Sequence, residues 1–186
     1  MTGFGVERHD ANDNYPTLFG QLSLGDKSFM NSDFNYTKVQ LSYIQPWQIG
    51  GFGRLTTSLE AGKIYGEVPL GLLSVVPGNQ SYFSIYNTFS QLDFYEFVTD
   101  TYTSLHLEHN FNGRFLSRIP FLRKLNLREI IGIRGVWGEL SQSNIDLSTT
   151  GNPNEIPLRA PNNKVYYEYS VGVGNIFKVF RIDFNF

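Results

Sequence analysis

VYYEYSVGVGNIFKVFRIDFNF, residues 165–186, alternates with a period of two. Val165, Tyr167, Tyr169, Val171 and Val173 fall on one face of an extended chain, with Glu168, Ser170, Gly172 and Gly174 on the other. After Asn175 and Ile176 the pattern resumes, Phe180, Ile182, Phe184 and Phe186 opposing Arg181, Asp183 and Asn185. Two alternating runs around a short break predict an antiparallel hairpin, wet on one side and dry on the other. The pattern leaves open whether the dry side meets protein or lipid. Glu168 and Arg181 are expected to form a diagonal cross-strand ion pair that holds the register.

The same alternation recurs upstream. In TKVQLSY, Thr37, Val39, Leu41 and Tyr43 oppose Lys38, Gln40 and Ser42; in RLTTSLEAG, Leu55, Thr57, Leu59 and Ala61 oppose Arg54, Thr56, Ser58 and Glu60. In YTSLHLEHNF, Thr103, Leu105, Leu107 and His109 oppose Tyr102, Ser104, His106 and Glu108. LREIIGIRGVWG is less regular, and YPTLFGQLSLG is a further strand, with the first eight residues expected to end another. The reading is about seven strands and no convincing helix.

Composition agrees with strands. Aromatic residues reach 16%, with 16 Phe and 11 Tyr, while charged residues stand at 17%, below the usual quarter or so. A net charge of −2 excludes the basic field that nucleic acid binding requires. There are no cysteines, so there is neither a disulfide framework nor a thiolate metal site, and no cofactor is implied. No apolar run approaches the 18 or so residues of a transmembrane helix. MTGFGVERHD lacks the basic, apolar and small-residue succession of a signal peptide, which implies either a cytoplasmic chain or a piece with its export signal upstream.

The connections differ systematically in length. QPWQIGG and GNIFK are tight, whereas residues 63–100 and 139–164 are long, polar and rich in Gly, Pro, Asn and Ser. Strands of about ten residues joined alternately by short turns and long loops are the pattern of an antiparallel transmembrane β-barrel. The chain is then one unit, 1–186, an arc of a larger barrel. Its polar faces would line a lumen with Arg54, Glu60, His106, Glu108, Arg128, Arg134, Glu168, Arg181 and Asp183. Tyr36, Tyr43, Trp47, Phe52, Tyr65, Tyr102, Phe111, Trp137, Tyr166 and Phe177 lie near strand ends, where aromatic girdles belong. The rival of another class is a soluble β-sandwich binding module, whose strands also alternate.

Chemistry is sparse. On a strand His106 and Glu108 share a face and His109 points away, so HLEH does not converge on a metal. Glu60 and Glu108 face the polar side of neighbouring strands as a candidate carboxylate pair, with neutralisation by the lumen arginines the simpler reading. Gly132, Gly135, Gly138, Gly172 and Gly174 lack the helix and lysine of a phosphate cradle and are expected to permit curvature or close approach of a loop. No catalytic residue is assigned. In NGRFLSRIPFLRKLNLR the cations Arg114, Arg118, Arg123 and Lys124 interleave with Phe115, Ile119 and Phe121, which fits contact with lipid phosphates or with a periplasmic protein.

The ordered segments LEAGKIYGEVPLGLL, PGNQSYF, DFYEFVTDTYTSLHLEHNFNG, IPFLRKLNLRE and VGVGNIFKVFRIDF resemble the C-terminal barrel of an uncharacterised family of bacterial outer-membrane proteins. That family carries an N-terminal carboxypeptidase-regulatory-like domain and a barrel similar to the BamA-type assembly and surface-antigen proteins. The resemblance implies an outer-membrane location and a role in assembly, insertion or translocation, with a passive pore as the alternative. It also implies that the chain is a C-terminal portion lacking the last strand, closed by missing strands or by other membrane chains in outer-membrane lipid. Residues 63–100 take the position of the loop that folds into the lumen in BamA-type barrels and carries an Arg-Gly motif there. Here they contain no arginine, and Ile133-Arg134-Gly135 lies in a later strand.

Overall fold

The computed structural model describes residues 14–28, 33–81, 83, 85, 87–149, 158–162 and 164–186. The strands, in chain order, are β1 (Thr17–Gly25), β2 (Tyr36–Gln48), β3 (Arg54–Tyr65), β4 (Ser74–Val75), β5 (Val98–Thr99), β6 (Thr101–Asn110), β7 (Arg128–Glu139), β8 (Tyr166–Ile176) and β9 (Phe180–Asn185). Seven of them form one antiparallel sheet in the order β1-β2-β3-β6-β7-β8-β9, while β4 and β5 pair within the β3–β6 connection. The fold is all-β. No strand pairs with the outer side of β1 or β9 among the described residues, so the sheet is open. The further strand expected at the N-terminus lies outside the described residues.

Two local departures from the sequence reading have physical causes. β2 runs on through Gln45, Pro46, Trp47 and Gln48, which read as a turn because proline donates no ladder hydrogen bond. Pairing of β2 with β1 stops at Ile44, so the missing N–H of Pro46 falls where β2 has become an edge, and pairing with β3 continues from Pro46 to Thr56. Two short helices also occur, α1 (Pro120–Arg123) and α2 (Gln142–Ser148). Neither has the length for an amphipathic period to show. No helix among the described residues is long and apolar enough to cross a membrane, a fact that does not bear on crossing by strands.

The register gives the sheet two chemically opposite faces. Directly paired residues share a face, so Leu22, Val39 and Lys63 sit together, as do Leu59 with Leu105 and Ile131 with Val171 and Phe184. This apolar face is bare. Leu22 is 63% exposed, Leu41 50%, Ile133 52%, Val171 50% and Phe184 63%. The opposite, polar face holds Gln40, Glu60, Ser104, His106, Arg134 and Glu168, and here lie all the buried residues of the main sheet except Gln45.

What covers the polar face is the β3–β6 connection. Ile64 at the end of β3 packs with Val68, Leu73 and Val98 of the connection, and Val136 of β7 packs with Val76, Phe89 and Leu92. The core is thus built between the wet side of the sheet and a long loop. Apolar exceptions near the loop end of the polar face, Ile64 and Val136, seat that loop. At Gly138 a β-carbon would stand 2.6 Å from Thr99 Cγ2, so the loop approaches the sheet where the side chain is absent.

Candidate functional site

The polar face and the segment lying on it form the most elaborated polar assembly among the described residues. At its centre, Glu168 of β8 stands directly opposite Arg134 of β7, and the two form an ion pair at 3.6 Å. Glu168 is 1% exposed. Its carboxylate accepts the backbone N–H groups of Ser90 and Gln91, each at 2.8 Å, and the Tyr166 hydroxyl at 2.9 Å. Arg134 donates to Ser90 Oγ at 2.8 Å and to Asn185 Oδ1 at 3.3 Å. A buried charge persists only when paired and hydrogen-bonded, and here the loop backbone supplies the bonds. Phe89, fully buried, sets its ring tilted against His106 at 4.9 Å and edge-on to Tyr166 at 5.9 Å. The segment 88–92 is therefore clamped over β7 and β8.

A second clamp holds the ends of the segment. The Asp100 carboxylate accepts the Ser141 N–H at 2.7 Å and the Asn144 side-chain amide at 3.0 Å, while Asn144 Oδ1 accepts the Val68 N–H at 3.0 Å. This ties α2 to the segment, and the Val98 N–H donates to the Arg159 carbonyl at 2.8 Å. On β3 and β6, the Tyr102 hydroxyl donates to Glu60 and accepts from Gln40 Nε2 at 3.0 Å. Between these clamps lie cavities of about 350 and 410 Å³. The first is lined on the sheet side by Lys38, Gln40, Ser58, Glu60, Tyr102 and His106, the second by Glu108, Arg134, Arg181 and Asp183 among others.

Several expectations change. Glu168 and Arg181 do not pair. The bulge between Val173 and Ile176 and the left-handed Asn175, Phe177 and Lys178 leave Arg181 at the turn end of β9, whereas Glu168 meets Arg134. Arg181 pairs instead with Asp183 at 2.7 Å and with Glu108 at 2.8 Å. The latter pair bridges three strand spacings, about 14 Å in a flat ladder; Gly132 and Gly172 on the intervening strands place no side chain in the path. Glu60 and Glu108 are not a carboxylate pair, since Glu60 lies opposite Ser104 and Glu108 opposite Thr56, further along the ladder. Tyr36, Tyr102 and Tyr166 do not join an exposed girdle. Tyr36 packs on the buried cluster around Ile64, and the other two serve the clamps, whereas Trp47, Phe52, Tyr65 and Phe177 are exposed. The even-numbered parity that Tyr102 and Tyr166 share with Glu60 and Glu168 was the available signal. Asp100 and Asn144 had none, being joined only by the folded loops.

Arg54 and Arg128 lie on the polar face near the short-turn end, flanking a third recess with Glu108. No group of three metal-ligating side chains occurs among the described residues. At the same end Arg114 donates to the Gly51 carbonyl at 2.7 Å and covers the Phe52 ring at 4.0 Å. Arg118, Arg123 and Lys124 are exposed, as is Phe121 at 81%.

The family model that matches describes the C-terminal domain of a family of unknown function (DUF5686), and it covers residues 5–148. No curated protein and no solved structure matches the chain.

Proposed function

The chain belongs to this DUF5686 family, and from that premise we propose that it supplies seven adjoining strands of a bacterial outer-membrane β-barrel, with residues 66–100 filling the lumen. The observation that carries the reading is the inversion of the two faces: the apolar face is bare and the polar face is covered. A soluble sandwich does the reverse. In water, half-exposed Leu, Ile, Val and Phe side chains each forgo on the order of 1 kcal/mol of transfer free energy. Across the whole face the loss reaches the net stability of a domain, about 5–15 kcal/mol. Acyl chains remove it.

Three features support the same reading. β1, β2, β3, β6, β7 and β8 have 9, 13, 12, 10, 12 and 11 residues, against the 9–11 or so that a tilted strand needs to cross a bilayer. The two longest connections, 66–100 and 140–165, leave β3 and β7 at one end, and the two tightest, 49–53 and 177–179, leave β2 and β8 at the other, as in outer-membrane barrels; the β6–β7 connection, 111–127, is the long exception at the tight-turn end. The ion pair from β9 to β6 suits a sheet curled toward its polar face. Backbone groups on the free edges of β1 and β9 would cost several kcal/mol each in hydrocarbon, so further strands, from the same protein or from partner chains, close the barrel.

The role we assign is non-enzymatic: assembly, insertion or translocation of other molecules at the outer membrane, an expectation from the BamA-type resemblance and therefore a fold-level warrant. The clamped segment favours it over a passive pore. In planar bilayers the whole protein should conduct little, and deletion of residues 67–99 should raise conductance severalfold. High conductance before deletion indicates a passive pore instead. Recovery of the protein in the aqueous fraction without detergent overturns the membrane reading altogether.

A further inference from the structure

The short-turn end of the sheet is one surface made of three connections. Residues 49–53, 111–127 and 177–179 contain no Asp or Glu. Arg114 joins the second to the first through Gly51 and Phe52, and the Asn175 side-chain amide joins the third to the second through the Asn126 carbonyl at 2.8 Å. Glu129, at the start of β7, is used internally and accepts the N–H groups of Phe115 and Leu116. What remains outward is cationic and apolar. The side chains of Arg118, Arg123, Lys124 and Lys178 make no ion pair among the described residues. Beside them Phe121, Phe177 and Val179 are 81%, 84% and 80% exposed. The opposite end differs, for the segment 66–100 carries Glu67, Asp93, Glu96 and Asp100 and no Lys or Arg.

We propose that these three connections form a single platform that binds the headgroups of anionic glycerophospholipids in the leaflet facing them. Basic groups interleaved with exposed aromatic and aliphatic side chains match a headgroup boundary, where the rings enter the upper acyl region and the cations meet phosphate. The platform is continuous with the bare apolar face through Trp47, Phe52 and Phe180, all about half exposed or more. The proposal rests on the barrel reading and adds the lipid class and the side on which it binds.

The test uses the whole protein in cells, with a photoreactive benzophenone amino acid in place of Phe121 and, separately, in place of Val171. Mass spectrometry after illumination should find anionic phospholipid adducts at position 121. Protein adducts there, or equal capture of zwitterionic and anionic lipid after correction for abundance, overturn the platform. Position 171 separates the two levels of the argument: acyl-chain adducts at 171 with none at 121 leave the barrel standing and remove the platform, while no lipid at 171 removes both. In vesicles of phosphatidylcholine with and without phosphatidylglycerol, the chain carrying R118Q, R123Q, K124Q and K178Q should lose its anionic preference by roughly fivefold per cation. Unchanged preference overturns the proposal.

Discussion

Glu168 and Arg134 show how a charge can be kept inside this protein. The carboxylate is 1% exposed and the guanidinium side chain 12%. The compensation comes from the loop, through the N–H groups of Ser90 and Gln91, rather than from the sheet alone. Replacing Glu168 with Ala strands the Ser90 and Gln91 N–H donors and leaves the largely buried Arg134 without its carboxylate partner. Breaking a buried pair from one side costs roughly 3–5 kcal/mol. E168A should therefore lower stability by about that amount in denaturant unfolding of the whole protein, and protease should cut within residues 66–100 far faster. The E168A/R134A double variant should cost less than the sum of the single ones, because the second change removes the orphaned charge. Additive losses would mean that the two side chains do not act as a pair.

At the scale of elements, strands and connections differ in how far sequence could show them. β3, β6 and β8 were legible because alternation is a local property, and each run carries its own evidence. The register of the β8–β9 hairpin was not, since a bulge and three left-handed residues at its turn moved Arg181 away from Glu168 without disturbing either strand's pattern. The resting place of residues 66–100 was open in the same way. Its length and polarity marked a loop, but its clamps join residues far apart in the chain, such as Val68 and Asn144. Asn144 is the clearest case. It is 2% exposed and links Asp100, Val68 and α2. N144A leaves the Val68 N–H buried and unpaired, at about 1–3 kcal/mol. Hydrogen exchange should quicken in residues 66–72 and 142–148 while the ladder between β6 and β7 stays protected. Uniform loss of protection across the sheet would show that α2 supports the whole fold rather than the loop alone.

For the whole molecule the decisive quantity is what touches the apolar face. Alternation alone placed Leu59, Leu105 and Ile133 together on a dry side but was equally satisfied by a second protein layer. Long-range packing resolves half of that ambiguity, because the only extended covering segment among the described residues lies on the other face. A charge in the middle of the apolar face distinguishes the remaining possibilities by its sign. Leu105 sits beside Leu59 and Gly135, away from both sets of connections, and is 37% exposed. If acyl chains lie against it, Arg at this position costs about 2–4 kcal/mol, as for a basic residue near the bilayer midplane. If water lies against it, the same change should stay within about 0.5 kcal/mol, the ordinary range of a surface substitution. L105R in the whole protein, unfolded by denaturant from lipid vesicles, should therefore show the larger loss, with L105A well below it because alanine brings no charge to desolvate. A near-neutral L105R would place this face in water and leave the inversion of the two faces without a cause.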